Sequence, residues 1–137
     1  MKPVFGLLLF PMLFMACKKE ATPPRTQVIV GSWTLKAEGP DKDGDGQLQN
    51  NEIDSLADGA QIFEVYRADG TGDYIVRLRG QQDNKSPFTW LFSNGDKELK
   101  TVRGTDTGSR TLIKLEGNRM ERYDPLQNPK FLQILEK

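Results

Sequence analysis

Residues 41–52 carry a spacing that specifies a chemistry: Asp-Lys-Asp-Gly-Asp-Gly-Gln-Leu-Gln-Asn-Asn-Glu. Carboxylates take the first, third and fifth places, glycine the sixth, an aliphatic residue the eighth and glutamate the twelfth. Calcium, a hard cation, takes about six to eight oxygen ligands, and one short piece of chain spaced this way can wrap it. Asp41, Asp43 and Asp45 are expected to give side-chain oxygens, Gln47 its backbone carbonyl, and Glu52 both carboxylate oxygens. Gln49 is expected to hold a water. Gly46 lets the chain reverse without a Cβ clash, and Leu48 points away from the ion into apolar packing. Three aspartates this close repel one another unless a cation sits among them. The plainer alternative is an Asp/Gly-rich surface turn that binds nothing. That alternative does not call for the glycine, the aliphatic residue and the distal glutamate in register.

The other chemistry-bearing residues exclude more than they suggest. The chain has no histidine and one cysteine, Cys17. Histidine-dependent serine or cysteine triads and histidine-based zinc sites are therefore ruled out. Asp106-Thr107-Gly108-Ser109 spells the motif of aspartic proteases, whose chemistry needs a buried aspartate paired with a second copy. Here Arg103-Gly104-Thr105 precedes it and Arg110 follows, so a solvated turn is expected. Lys97, Lys100, Arg103, Arg77 and Arg79 read as solvated strand faces that discourage edge pairing.

The elements that must position the 41–52 loop are strands. Residues 28–36 are β-branched and alternating, with Ile29, Gly31, Trp33 and Leu35 on one face. Gly39-Pro40 ends that strand and the loop follows directly. The loop resembles that of an EF-hand, but the chain enters it from a strand where an EF-hand enters from a helix. Beyond it, Ile53, Leu56 and Ala57 stand at helical spacing before Gly59, which predicts a turn or two of helix over 50–58. Strands are then expected over 62–67, 73–79, 88–92, 98–103, 110–116, 119–123 and 130–136. Asp69-Gly70, Asn94-Gly95 and Gly117-Asn118 supply hairpin turns between them. The stretches 80–87 and 104–109 read as loops. The fold class is therefore all-β: about eight antiparallel strands in up-and-down order, with one short helix after the calcium loop. Closure into a barrel removes the two exposed edges of such a meander, and a two-sheet sandwich is the alternative.

Gly31-Ser32-Trp33 on the first strand is similar to the Gly-x-Trp signature of lipocalins. The chain as a whole resembles the small lipocalin-like domains of bacterial envelope lipoproteins, with an EF-hand-type calcium loop inserted after the first strand. The Asp69-Gly70-Thr71-Gly72 hairpin is a further point of match. The resemblance implies that Trp33 closes the barrel floor and that an arginine from a late strand, Arg110 or Arg122, stacks on it. Trp33, Trp90 and Phe92 are candidates to line a ligand cavity. The same aromatic set, with Phe63, Phe88 and Phe131, more often fills the interior of a small barrel, and a filled core is the expectation.

The first sixteen residues read as an address. Lys2 starts them, an apolar run over 4–15 follows, and Ala16 precedes Cys17. A run this short suits a signal peptide (1–16) rather than a spanning helix. Its end resembles a bacterial lipobox, which implies lipid on Cys17 and a membrane anchor. Residues 17–26, polar and bearing Pro23-Pro24, read as a mobile tether, and 27–137 as one barrel domain with its insert at 41–52. Loss of Lys2 leaves 18 of the 19 basic residues against 19 acidic ones, so no nucleic-acid partner is expected.

The expectation is a non-enzymatic lipoprotein of the cell envelope that binds one calcium ion mainly for structure. The alternatives are a carrier of a small hydrophobic ligand and a calcium-dependent module that docks a surface protein.

Overall fold

The computed structural model describes residues 21–57 and 59–137. Residues 1–16, read from the sequence as a signal peptide, and Cys17, read as a lipidation position, lie outside the described residues. A short helix α1 (Arg25–Ile29) precedes eight strands: β1 (Gly31–Pro40), β2 (Gln61–Tyr66), β3 (Thr71–Arg77), β4 (Asn84–Ser93), β5 (Glu98–Arg103), β6 (Asp106–Glu116), β7 (Arg119–Asp124) and β8 (Phe131–Glu136). Each strand pairs antiparallel with the next, and β1 pairs with β8, so the sheet closes into an up-and-down barrel. Closure leaves no edge strand with unpaired backbone groups. Irregularities between Leu35 and Ala37 on β1, and between Leu112 and Lys114 on β6, increase the local twist that a small barrel needs.

Among the described residues the one short helix sits before the first strand, not after the insert. Residues 28 and 29, expected in β1, belong to α1, and the tether read through Thr26 gives way to helix at Arg25. The helical spacing of Ile53, Leu56 and Ala57 does not form a helix. Residues 50–52 are a turn and Ile53 is exposed, because the segment is held to β1 through its own backbone. The 104–109 loop is also shorter than expected, since β6 already begins at Asp106 and pairs with β5.

α1 seals one end of the barrel. Ile29 is fully buried against the core, and Trp33 Nε1 donates to the Ile29 carbonyl at 2.6 Å. That bond satisfies a buried indole N–H and fixes the helix over the lumen. Around it, Leu35, Leu99, Leu115, Met120 and Leu135 fill the floor. The cation over the Trp33 ring is Lys137, at 4.8 Å, and Lys137 Nζ also donates to the carbonyls of Val28 and Val30. Neither Arg110 nor Arg122 takes that place, because each is engaged with a carboxylate higher in the barrel. Gly72 is buried opposite Phe88, where a Cβ would run into the Phe88 ring. The space goes to the Tyr66–Phe88 edge-to-face pair, at 5.3 Å between centroids.

Ile29→Ala should therefore leave a cavity at the floor and cost about 2–5 kcal/mol. Urea unfolding of the variant beside the parent chain measures it.

Candidate functional site

Two places concentrate polar chemistry: the insert after β1 and the interior above the apolar floor.

The insert folds around its own carboxylates. Oxygens of Asp41, Asp43 and Asp45 lie within 4.8 Å of one another. Asp41 accepts from the N–H groups of Gly44 (2.8 Å) and Gly46 (3.0 Å). Those two glycines take φ of +76° and +77°, a region a Cβ disfavours. Gln47 is exposed and its N–H donates to Asp45 at 2.8 Å. The Gln49 amide donates to Asp43 at 2.6 Å and to Asp45 at 3.4 Å, so at its expected water-holding place the side chain turns its positive end onto the aspartates. Glu52 lies outside the group of mutually close oxygens. It closes the loop instead, accepting from Lys42 N–H at 2.7 Å and Gln49 N–H at 3.1 Å.

Both ends of this loop are fastened to the barrel. Asp41 N–H donates to the Lys130 carbonyl and Asp54 N–H to the Glu38 carbonyl, each at 2.8 Å. Gly39 of β1 lies directly under the Glu52 carbonyl, where no Cβ fits. As a result Asp41 and Glu52 are each only 3% exposed. Among the described residues neither is ion-paired with a lysine or arginine. Buried carboxylates are ordinarily paired or bound to metal. The Asp43 carboxyl is held above its ordinary value. The Asp45 N–H pulls it down, but desolvation, the charges of Asp45 and Glu52, and contact with Asp41 outweigh that. The loop is short of positive charge.

Inside the barrel, Glu64 of β2 and Arg122 of β7 meet across the lumen. Arg122 Nη2 and Nη1 donate to the two Glu64 oxygens at 2.5 and 2.8 Å. Tyr66 donates to Glu64 at 2.5 Å and accepts from Arg122 at 3.1 Å. Arg122 Nε donates to Gln133, whose amide donates on to Glu38. Burial alone would lift the Glu64 carboxyl, but the charge and hydrogen bonds of Arg122, with the Tyr66 hydroxyl, hold it below its ordinary value. The Tyr66 hydroxyl is pushed far up, by burial first and then by the Glu64 charge. Burial opposes the Arg122 charge, and Glu64 overrides it.

Beside this network lies a cavity of about 150 Å³ that Arg103, Arg110, Thr101 and Tyr74 also line. Burial raises the Tyr74 hydroxyl, and the charges of Glu64 and Glu38 add to it, so it stays a neutral donor. Of the residues expected to line a ligand space, Trp33, Trp90 and Phe92, none lines this cavity, while Trp90 borders a separate, open hollow with Val30 and Gly70. Trp33 is in the sealed floor. Trp90 packs edge-on against Tyr66 and Phe92 and spends its indole N–H on the Thr71 and Arg67 carbonyls. The network residues had a signal in the sequence: Glu64 between Ile62 and Tyr66, and Arg122 two places after Met120, put charges at inward positions of alternating strands.

No family model matches this chain, and no curated protein matches it. Among solved structures it is similar to the crystal structure of an uncharacterized protein from Bacteroides eggerthii DSM 20697, with a TM-score of 0.56 and 9% identity. The match covers 80% of this chain and 99% of that one. At that identity the likeness shows the fold alone.

The Glu64 shift sets an acid limit on stability. Because the folded carboxyl lies below the ordinary value of 4.5, its contribution is complete above about pH 4.5 and is lost as the pH falls below that toward the folded value. Melting temperature should drop over this window, and less steeply in Glu64→Gln. That variant should itself cost about 3–5 kcal/mol at neutral pH by stranding Arg122, and the double variant Glu64→Leu/Arg122→Met less than that. Thermal melts across pH, with urea unfolding, test both.

Proposed function

We propose that this protein is a non-enzymatic lipoprotein of the bacterial cell envelope, anchored through lipid on Cys17, with a lipocalin-like barrel that carries one calcium ion in the 41–52 loop. The single observation behind the calcium reading is the pair of buried carboxylates, Asp41 and Glu52, at the two ends of the loop, with which no lysine or arginine among the described residues forms an ion pair. Asp41, Asp43, Asp45 and Glu52, with the Gln47 carbonyl, are the residues that would hold the ion. They are hard oxygen donors, which suits calcium over softer metals.

The role is structural. An ion among the aspartates relieves their repulsion and ties the insert to β1 and to the chain entering β8, which stabilises the fold by mass action. The loop enters from a strand and has no second copy to pair with, so affinity belongs to the extracellular range, with Kd about 10⁻⁴–10⁻³ M. The anchor reading rests on the sequence alone, on the apolar run ending at Ala16-Cys17. An apolar cargo is served poorly by the interior, since a buried ion pair and two further arginines line its cavity.

Calorimetric titration of calcium into the mature protein in detergent tests this. One site is expected, with a gain of about 1.4 kcal/mol at ten times Kd. Asp41→Ala and Glu52→Ala should abolish the heat. Gly39→Ala should weaken binding without touching a ligand, by pushing the Glu52 carbonyl off β1. Absence of both heat and a melting shift in the parent chain would refute the calcium reading.

A further inference from the structure

The cavity in the open half of the barrel has an imbalance of charge that the fold does not use. Three guanidinium groups line it, from Arg103, Arg110 and Arg122. Glu64 neutralises Arg122 and, with Tyr66 and Gln133, engages its Nε, Nη1 and Nη2 atoms. Asp124 pairs with Arg110 Nη1 at 3.1 Å, and that same nitrogen donates to the Ser109 carbonyl. Arg103 is different. Among the described residues no carboxylate pairs with it, and its guanidinium sits 4.8 Å over the Tyr74 ring. Glu38, reached through Gln133, does not line the space.

We propose that this cavity binds a small organic anion, its carboxylate taken by Arg103 at the mouth with Arg110 beside it, and its compact flat body laid against Phe88, Tyr66 and Tyr74. The guanidinium fork matches the two oxygens of a carboxylate. Arg103 is exposed while lining the cavity, so the anion exchanges with solvent there. The far wall is already neutral, because Glu64 balances Arg122. It therefore offers shape and edge-on aromatic contact rather than charge. The volume, about 150 Å³, is that of an engineered cavity that admits benzene, which sets the size of the guest. The site shares no residue with the 41–52 loop, so it stands or falls independently of calcium.

Benzoate and its neutral isostere benzamide are the probes, titrated into the full chain in detergent while amide shifts are followed by NMR. Benzoate is expected to move the amides of β3, β4 and β5 around the cavity with Kd on the order of 1 mM or below. Benzamide should bind at least about tenfold more weakly. Arg103→Gln removes an exposed side chain that has no ion-pair partner among the described residues, so the barrel should fold, and benzoate affinity should fall about tenfold. Lys100→Gln, which takes the same charge from the outer face of the same strand, should leave affinity unchanged. Equal binding of the two probes, parent-like benzoate affinity in Arg103→Gln, or no shift from either probe up to about 10 mM would each overturn the assignment.

Discussion

The ion pair of Glu64 and Arg122 joins strands that are not neighbours in the sheet, and the upper half of the barrel is built around it. A buried carboxylate and a buried guanidinium are costly unless each meets the other with good geometry and their remaining groups are bonded. Here both conditions are met: the pair is two-pronged, and Tyr66 and Gln133 take up further donors and acceptors. Among the described residues no buried side-chain polar atom is left without a partner. The pair does not substitute for hydrophobic packing. It decides which residues face the lumen, because a one-residue slip of β2 or β7 would send a charge out and an apolar side chain in.

That constraint divides the interior into two parts. The floor is apolar, capped by α1 and closed by Trp33, whose indole N–H is spent on the Ile29 carbonyl. Above it the lumen turns polar, and the side chains there are held by hydrogen bonds that leave room between them. An eight-stranded barrel is just wide enough for side chains to fill or for one small guest. This chain does the first at one end and leaves space for the second at the other.

The insert works by different physics, outside the barrel wall. Its carboxylates are turned inward by backbone N–H donors, and its ends are bonded to the barrel at Lys130 and Glu38. Burial of Asp41 and Glu52 is thus a consequence of docking on β1, where Gly39 allows the approach. A free Asp/Gly-rich turn would leave those carboxylates in water. Docking is what turns a spacing of acidic residues into a place with a shortage of positive charge.

Much of this was legible in the residues. Alternation and the Asp69-Gly70, Asn94-Gly95 and Gly117-Asn118 turns determined eight antiparallel strands in succession, since period and turn chemistry are local properties. The oxygen-rich register of 41–52 is equally local, and the three aspartates do converge. What the chain pattern could not decide is whatever depends on which strand lies opposite which. Val28 and Ile29 have strand propensity, yet they sit in α1, where Ile29 is fully buried and its carbonyl takes the Trp33 indole N–H. Lys137, not an arginine, reaches the Trp33 ring because the end of β8 lies beside it. Glu64 and Arg122, 58 residues apart, look like isolated breaks in two apolar patterns until closure brings β2 and β7 to face each other. The polar cavity follows from that meeting, and only the closed barrel produces it.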